Sequence, residues 1–191
     1  MKVIEGGVTA AQGFLAAGLS AGIKKGNTKD MAMLYSKVPC EAAGTFTTNI
    51  VKAAPVKWDQ KIVYESEKAQ AVICNSGIAN ACTGEEGFGC CKETAKAASL
   101  ALNIPEDSVL VASTGVIGQQ IPIEKIKKGI ENMAPLLSES ISAGTLAAEA
   151  IMTTDTVKKE IAVEVEIDGK NVTVGGMCKG SGTVSYTHLR A

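Results

Sequence analysis

The chain has 191 residues, 46% hydrophobic but only 4% aromatic, with 19 basic against 20 acidic side chains and a formal net charge of −1. That length suffices for one domain that buries most of the surface its unfolded form exposes, and a core so poor in rings must pack Ala, Val, Ile and Leu closely around 20 glycines. Scattered lysines at near-zero net charge exclude a field that collects nucleic acid or anionic lipid, and the absence of a stretch resembling a secretory signal or membrane span predicts a cytoplasmic protein.

In chain order, small and β-branched residues between turn signals predict strands over 14–23, 31–36 and 42–46, separated by Gly26-Asn27 and Pro39. Pro55 suits the first turn of a helix that runs through Trp58 and Ile62 to about Tyr64. The apolar run 71–74 predicts a buried strand that enters a loop at Asn75-Ser76-Gly77. A helix from about Glu85 aligns Phe88, Cys91, Ala95, Ala98 and Leu102 on one face. Strand 109–112 then runs into Ser113-Thr114-Gly115, and helices are predicted over 123–133 and 145–152. Alternating Ile161, Val163, Val165 and Ile167 meet 171–174 across Asp168-Gly169, a hairpin signal because that dipeptide supplies positive φ. Strand, helix, strand, helix predicts an α/β, layered sheet-and-helix domain without internal repeats.

Six cysteines (Cys40, Cys74, Cys82, Cys90, Cys91 and Cys178) include no C-x-x-C pair and stand near no histidine, which predicts buried reduced thiols and no metal site. Residues 183–191 differ in kind. They hold the one histidine, His188, and the one arginine, Arg190, of a chain that uses lysine 18 times. The mismatch marks 183–191 as a foreign tail of adaptor or vector type, behind a domain over 1–182. The chain proper then has no histidine, and any mechanism that needs one falls.

Three loops combine small hydroxyl residues or a lysine with glycine or a carboxylate. In Ser113-Thr114-Gly115, a threonine hydroxyl and a glycine amide can aim two donors at one developing oxyanion; a plain turn with a locally bonded threonine is the alternative. Thr153-Thr154-Asp155-Thr156 offers a hydroxyl-rich edge for an amino acid, or simply helix punctuation. Lys179-Gly180-Ser181-Gly182 places one ammonium among glycines, which suits a substrate carboxylate, or else is an exposed lysine in a loop. No dinucleotide or Walker motif occurs.

Together with Gly7-Val8-Thr9-Ala10, Val51-Lys52-Ala53-Ala54-Pro55-Val56 and Asn75-Ser76-Gly77, these loops strongly resemble the glutamate N-acetyltransferase (ornithine acetyltransferase) family of arginine biosynthesis, from about Gly7 to Gly182. The resemblance implies a self-processing fold of the N-terminal-threonine-nucleophile kind, of which this chain is the α-chain portion, incomplete at its C-terminus. Family precursors cut themselves between an alanine and a threonine, and the new terminal threonine of the β chain is the nucleophile, using its own α-amine as base. It takes acetyl from N-acetylornithine, releasing ornithine, and passes it to glutamate; bifunctional members also accept acetyl-CoA. No cofactor is implied beyond acetyl-CoA as substrate, and the implied assembly is an α2β2 tetramer with the β chain.

By the same resemblance, Thr114 and Gly115 match the oxyanion-hole pair, while Thr153 and Lys179 match substrate-binding positions, with Thr154 one residue away from the first. Two departures stand out. Ile78 replaces the asparagine the family usually carries in Asn-Ser-Gly-Asn-Ala-Asn. After Lys179-Gly180-Ser181-Gly182 the family continues toward Met-Ala-Thr, whereas here Thr183-Val184-Ser185 follows, so the nucleophile is absent and the chain alone is expected to be inactive. The alternative readings are a self-processing aminopeptidase-like hydrolase and a non-enzymatic amino-acid-binding module.

Overall fold

The computed structural model describes residues 1–66 and 68–180. The tail at 183–191 and the end of the Lys179-Gly180-Ser181-Gly182 loop lie outside the described residues.

A short strand with no periodic signal, β1 (Lys2–Ile4), pairs antiparallel with β6 (Lys159–Ile167), Val3 opposite Val163. β6 turns into β7 (Lys170–Cys178) through Asp168 and Gly169, whose φ values of 51° and 73° are the positive pair that a tight hairpin demands. These strands form a sheet in the order β1-β6-β7. A second sheet has the order β2-β3-β4-β5, from β2 (Phe14–Leu19), β3 (Met31–Glu41), β4 (Lys68–Ile78) and β5 (Val109–Val116). Its first three strands are antiparallel, whereas β4 and β5 are parallel. A parallel pair needs a crossover, and α2 (Gly84–Leu102) supplies it.

Alternate strand residues face opposite sides of a sheet, and both sides of this one are covered. Ala17, Met31, Met33, Ile73, Val109 and Val111 share a core with Trp58 and Ile62 of α1 (Ala54–Glu65), Cys91, Ala95 and Ala98 of α2, and Ile126, Ile130 and Met133 of α3 (Ile123–Met133). Burying each of the last three contributes roughly 1.5–3 kcal/mol. On the other side Ala16, Ala32 and Cys74 meet Ala143, Ala147 and Ala150 of α4 (Ile141–Ala150). Ser140 caps this helix by accepting from the Ala143 amide. Its small residues bring β2 so close that a Cβ at Gly18 would overlap the Leu146 carbonyl, the tight layer contact that the aromatic-poor composition predicts.

The α/β class, the extents of α1 and α3, the face of α2 and the hairpin agree with the sequence expectations; several boundaries do not. Residues 42–46 lie outside any strand, because β3 continues past Pro39 to Glu41, its register breaking between Tyr35 and Cys40. Proline is tolerated where the ladder is already interrupted. The first long strand stops at Leu19, and α4 begins at Ile141 under its Ser140 cap, ahead of the expected 145. The supposed loops Asn75-Ser76-Gly77 and Ser113-Thr114-Gly115 lie inside β4 and β5, paired residue for residue, because the parallel ladder satisfies their backbone groups. All six cysteines are free, but only Cys74 and Cys91 are buried; Cys82 and Cys178 are exposed. Among the described residues, no helix is long and apolar enough to cross a membrane.

Candidate functional site

The parallel pair β4–β5 sets Ser76 opposite Thr114 and Gly77 opposite Gly115. Gly77 and Gly115 have φ of 109° and 133°, and a Cβ at Gly115 would overlap the Gly77 carbonyl. Only glycine holds both that dihedral and that approach. Ser76 is fully buried. Its amide donates to the Asp30 carbonyl at 2.8 Å and its hydroxyl to the Ala150 carbonyl at 2.5 Å, tying this end of β4 to the C-terminus of α4.

Asp30 organises the segment after β2. Its buried carboxylate accepts from the amides of Ala21 (2.6 Å), Ile23 (2.7 Å) and Lys24 (2.9 Å). The turned segment lies against Gly77, where a Cβ would meet Lys24 Cγ at 3.0 Å and Ile23 Cγ2 at 3.3 Å. Lys24 Nζ donates to the Lys29 carbonyl at 3.0 Å and to the Met152 carbonyl at 2.5 Å. Burial pushes the Lys24 ammonium below its usual range; Asp30 opposes that shift, and Lys179 reinforces it.

Asp155 collects the third part of the site. Its carboxylate, 1% exposed, accepts from the Gly180 amide at 2.6 Å, Lys159 Nζ at 3.0 Å and the Thr153 amide at 3.1 Å, and Lys179 Nζ stands 3.7 Å away. Burial alone would raise the Asp155 carboxyl, but these donors outweigh it and hold the group well below the usual carboxylate range. Gly180 belongs to the arrangement because a Cβ there would overlap Asp155 Oδ1. Lys179 also donates to the Gly180 carbonyl at 3.0 Å and remains 21% exposed, within reach of a ligand. Thr153 Oγ1 is buried with no hydrogen-bond partner among the described residues, whereas Thr154 is exposed.

The four residues singled out from sequence therefore sit along one contiguous set of contacts. Thr114 lies opposite Ser76 and Gly115 abuts Gly77, Gly77 abuts Lys24, Lys24 bonds Met152, and Asp155 joins Thr153 to Lys179. Three ammonium groups, Lys24, Lys159 and Lys179, share this region with two carboxylates: Lys159 and Lys179 face Asp155, while Lys24 feels Asp30 more strongly than Asp155. That excess of positive charge suits an anionic ligand group. Neither Lys24 nor Asp30 carries a sequence signal, since each acts through a fold-dependent partner. Ile78 opens no polar gap: it packs on the core, its carbonyl accepts from Asn75 Nδ2 at 2.8 Å, and the next amide, of Ala79, bonds the Val116 carbonyl at 2.8 Å. An apolar cavity of about 320 Å³ lies elsewhere, among Phe14, Leu34, Val72 and Leu110, and none of Thr114, Gly115, Thr153 or Lys179 lines it. Among the described residues, no group of three or more His, Cys, Asp or Glu side chains could hold a metal ion.

Comparison with known proteins gives a consistent set of relatives. A family model described as the ArgJ family matches residues 15–187. The chain is 48% identical over 181 residues to the arginine biosynthesis bifunctional protein ArgJ of Thermosynechococcus vestitus, covering 95% of this chain and 43% of the relative. It is 50% identical over 186 residues to that of Symbiobacterium thermophilum, covering 96% and 46%. A chloroplastic ArgJ of Oryza sativa is 45% identical over 184 residues, covering 96% and 40%. The chain thus spans less than half the length of these curated relatives. Among solved structures, ArgJ from Bacillus halodurans superposes with a TM-score of 0.89 at 40% identity, covering 95% of each chain. The ornithine acetyltransferase of Mycobacterium tuberculosis, complexed with ornithine, superposes at 0.88 with 43% identity over 94% of each chain.

Proposed function

The chain belongs to the ArgJ family, and we propose on that premise that it is the α portion of a self-processing acetyltransferase that moves acetyl from N-acetylornithine to glutamate. In this reading the nucleophile is the N-terminal threonine of a β chain cut from the same precursor, and its α-amine serves as base. The hydroxyl attacks the acetyl carbonyl, and the Thr114 hydroxyl and Gly115 amide receive the oxyanion that forms. Ornithine leaves, and the glutamate amine takes the acetyl group from the threonine ester. Lys179 receives a substrate carboxylate and the Thr153 hydroxyl a second polar group of the amino acid. Without the β threonine this chain transfers nothing alone.

The observation that carries the reading is the Thr153 hydroxyl, buried and unpartnered, in the loop that Asp155 joins to the partly exposed Lys179. An unpaired buried hydroxyl is costly, and a ligand that bonds it offsets that cost. The ornithine bound in the Mycobacterium tuberculosis relative supports an amino acid as that ligand. The family resemblance adds acetyl-CoA as a second donor, an α2β2 assembly and a cytoplasmic location, although the rice relative is named chloroplastic.

The test uses a full-length gene product that contains this chain. It should appear as two bands and exchange labelled acetyl between ornithine and glutamate, and Thr114→Ala should lower turnover about 100-fold, as loss of one oxyanion donor does. A single uncut chain that hydrolyses peptides overturns the reading in favour of an aminopeptidase. Unchanged turnover in Thr114→Ala removes that residue from its role.

A further inference from the structure

The Met152 carbonyl and the Thr153 amide are the two ends of one planar peptide group. Each end is held by a charged side chain from a different part of the chain. Lys24 Nζ donates to Met152 O at 2.5 Å, and Thr153 N donates to Asp155 Oδ2 at 3.1 Å. We infer that Lys24 and Asp155 are a pair of positioning residues that grip this one peptide group from both sides and so aim the Thr153 hydroxyl at the substrate. The inference rests on the substrate role proposed for Thr153 and deepens it.

Charge-assisted hydrogen bonds are stronger and more directional than neutral ones. With a cation on its oxygen and a carboxylate on its amide, the peptide plane is restrained, which places the Thr153 Cα and leaves φ of Thr153 as the one backbone angle that still sets the Cα–Cβ direction. Threonine is branched at Cβ and has few χ1 choices, and its Oγ1 is buried without a partner among the described residues. Both gripping residues are themselves fixed. Asp155 is bound by Gly180 and Lys159 as well. The Lys24 amide is held by Asp30, and its Cγ lies where a side chain on Gly77 would have to go. Since Gly77 abuts Gly115, Lys24 also connects the oxyanion strand to the substrate threonine, a function that a surface lysine would not serve.

The full-length enzyme provides the test. Lys24→Met keeps the stem and removes the ammonium, and Thr153→Val removes the hydroxyl. Each should raise the KM for N-acetylornithine about tenfold, the loss of roughly one hydrogen bond, and leave kcat nearly unchanged. The double variant should not exceed Thr153→Val alone by more than about twofold, because Lys24 acts through that hydroxyl. Lys24→Arg, which returns a donor to the Met152 carbonyl, should regain most of the affinity. Equal multiplication of KM by Lys24→Met in both backgrounds overturns the inference. A second arm needs no substrate: with carbonyl-¹³C methionine and ¹⁵N threonine, the Met152–Thr153 peptide signal, identified by its loss in Met152→Leu, should shift in Lys24→Met and in Asp155→Asn. A signal that stays put in Lys24→Met overturns the grip even if Asp155→Asn fails to fold. If the wild type exchanges no acetyl, the functional reading falls, and the labelled peptide still decides the grip.

Discussion

Gly115→Ala probes the place where the two strands of the candidate oxyanion site come closest. The added methyl group faces two costs. At φ of 133° an L side chain is strained, which costs about 1–3 kcal/mol. It would also overlap the Gly77 carbonyl, which is backbone and cannot swing aside, and overpacking of that kind adds roughly 1–3 kcal/mol. The sum, about 2–6 kcal/mol, is a large share of the roughly 5–15 kcal/mol that holds a domain together. Gly118 is the control: its φ is 81°, and a Cβ there meets nothing within 4 Å. Gly118→Ala should therefore cost only the dihedral strain, about 1–2 kcal/mol. Urea unfolding followed by circular dichroism reads the difference. With an m-value near 2 kcal/mol/M, Gly115→Ala should lower the midpoint by about 1–3 M and Gly118→Ala by less than about 1 M. Equal midpoints for the two variants would refute the Gly77 contact as the reason for glycine at 115.

Asp59 of α1 accepts from the Val111 amide at 2.8 Å, and burial pushes its carboxyl up to about 7 despite that bond. The folded state therefore holds a proton that the unfolded chain releases near pH 4, so this contribution is full below pH 4 and is lost as pH rises to 7. In Asp59→Asn the fall in stability between pH 4 and 7.5 should shrink by at most roughly 4 kcal/mol, and an unaltered pH profile of urea midpoints would count against it. Exposed Cys82 and Cys178 should react quickly with a thiol reagent. Cys74 and Cys91, pushed up to about 12 by burial and by Asp59, should react only on unfolding, and rapid labelling of Cys91 would contradict its burial. Ser140→Ala removes the cap of α4 and should cost about 1 kcal/mol in the same urea titration.

Elements governed by local physics were legible in the sequence. The α2 face follows from residue spacing, and Asp168-Gly169 turns a hairpin because of its own dihedral preferences. Elements that depend on a distant partner were not. β1 has three residues, too few for any pattern, and exists because β6 offers it an edge. Whether 75–77 and 113–115 were loops or strands could not be read from either segment alone, since each is extended by pairing with the other.

The candidate site divides along the same line. Loops rich in hydroxyl residues, glycine or a lysine drew attention to Ser113-Thr114-Gly115, Thr153-Thr154-Asp155-Thr156 and Lys179-Gly180. The family resemblance singled out Thr114, Gly115, Thr153 and Lys179 within them, residues whose usefulness comes from groups they carry themselves. Lys24 is one lysine among 18. It stands apart only because Asp30 gathers three amides and turns the chain until that ammonium meets a carbonyl 128 residues away. Burial forces such arrangements on polar groups, which must find partners or carry a heavy penalty. Asp30 and Asp155 obey that rule through multiple donors, and Ser76 obeys it through the Ala150 carbonyl. The Thr153 hydroxyl, embedded among groups so thoroughly satisfied, does not obey it. Among the described residues Glu160 Oε2 is also buried without a partner, but it belongs to a carboxylate whose other oxygen accepts from Thr145 and Lys158. The Thr153 hydroxyl is therefore the group left wholly unsatisfied, a distinction that only the three-dimensional structure could draw.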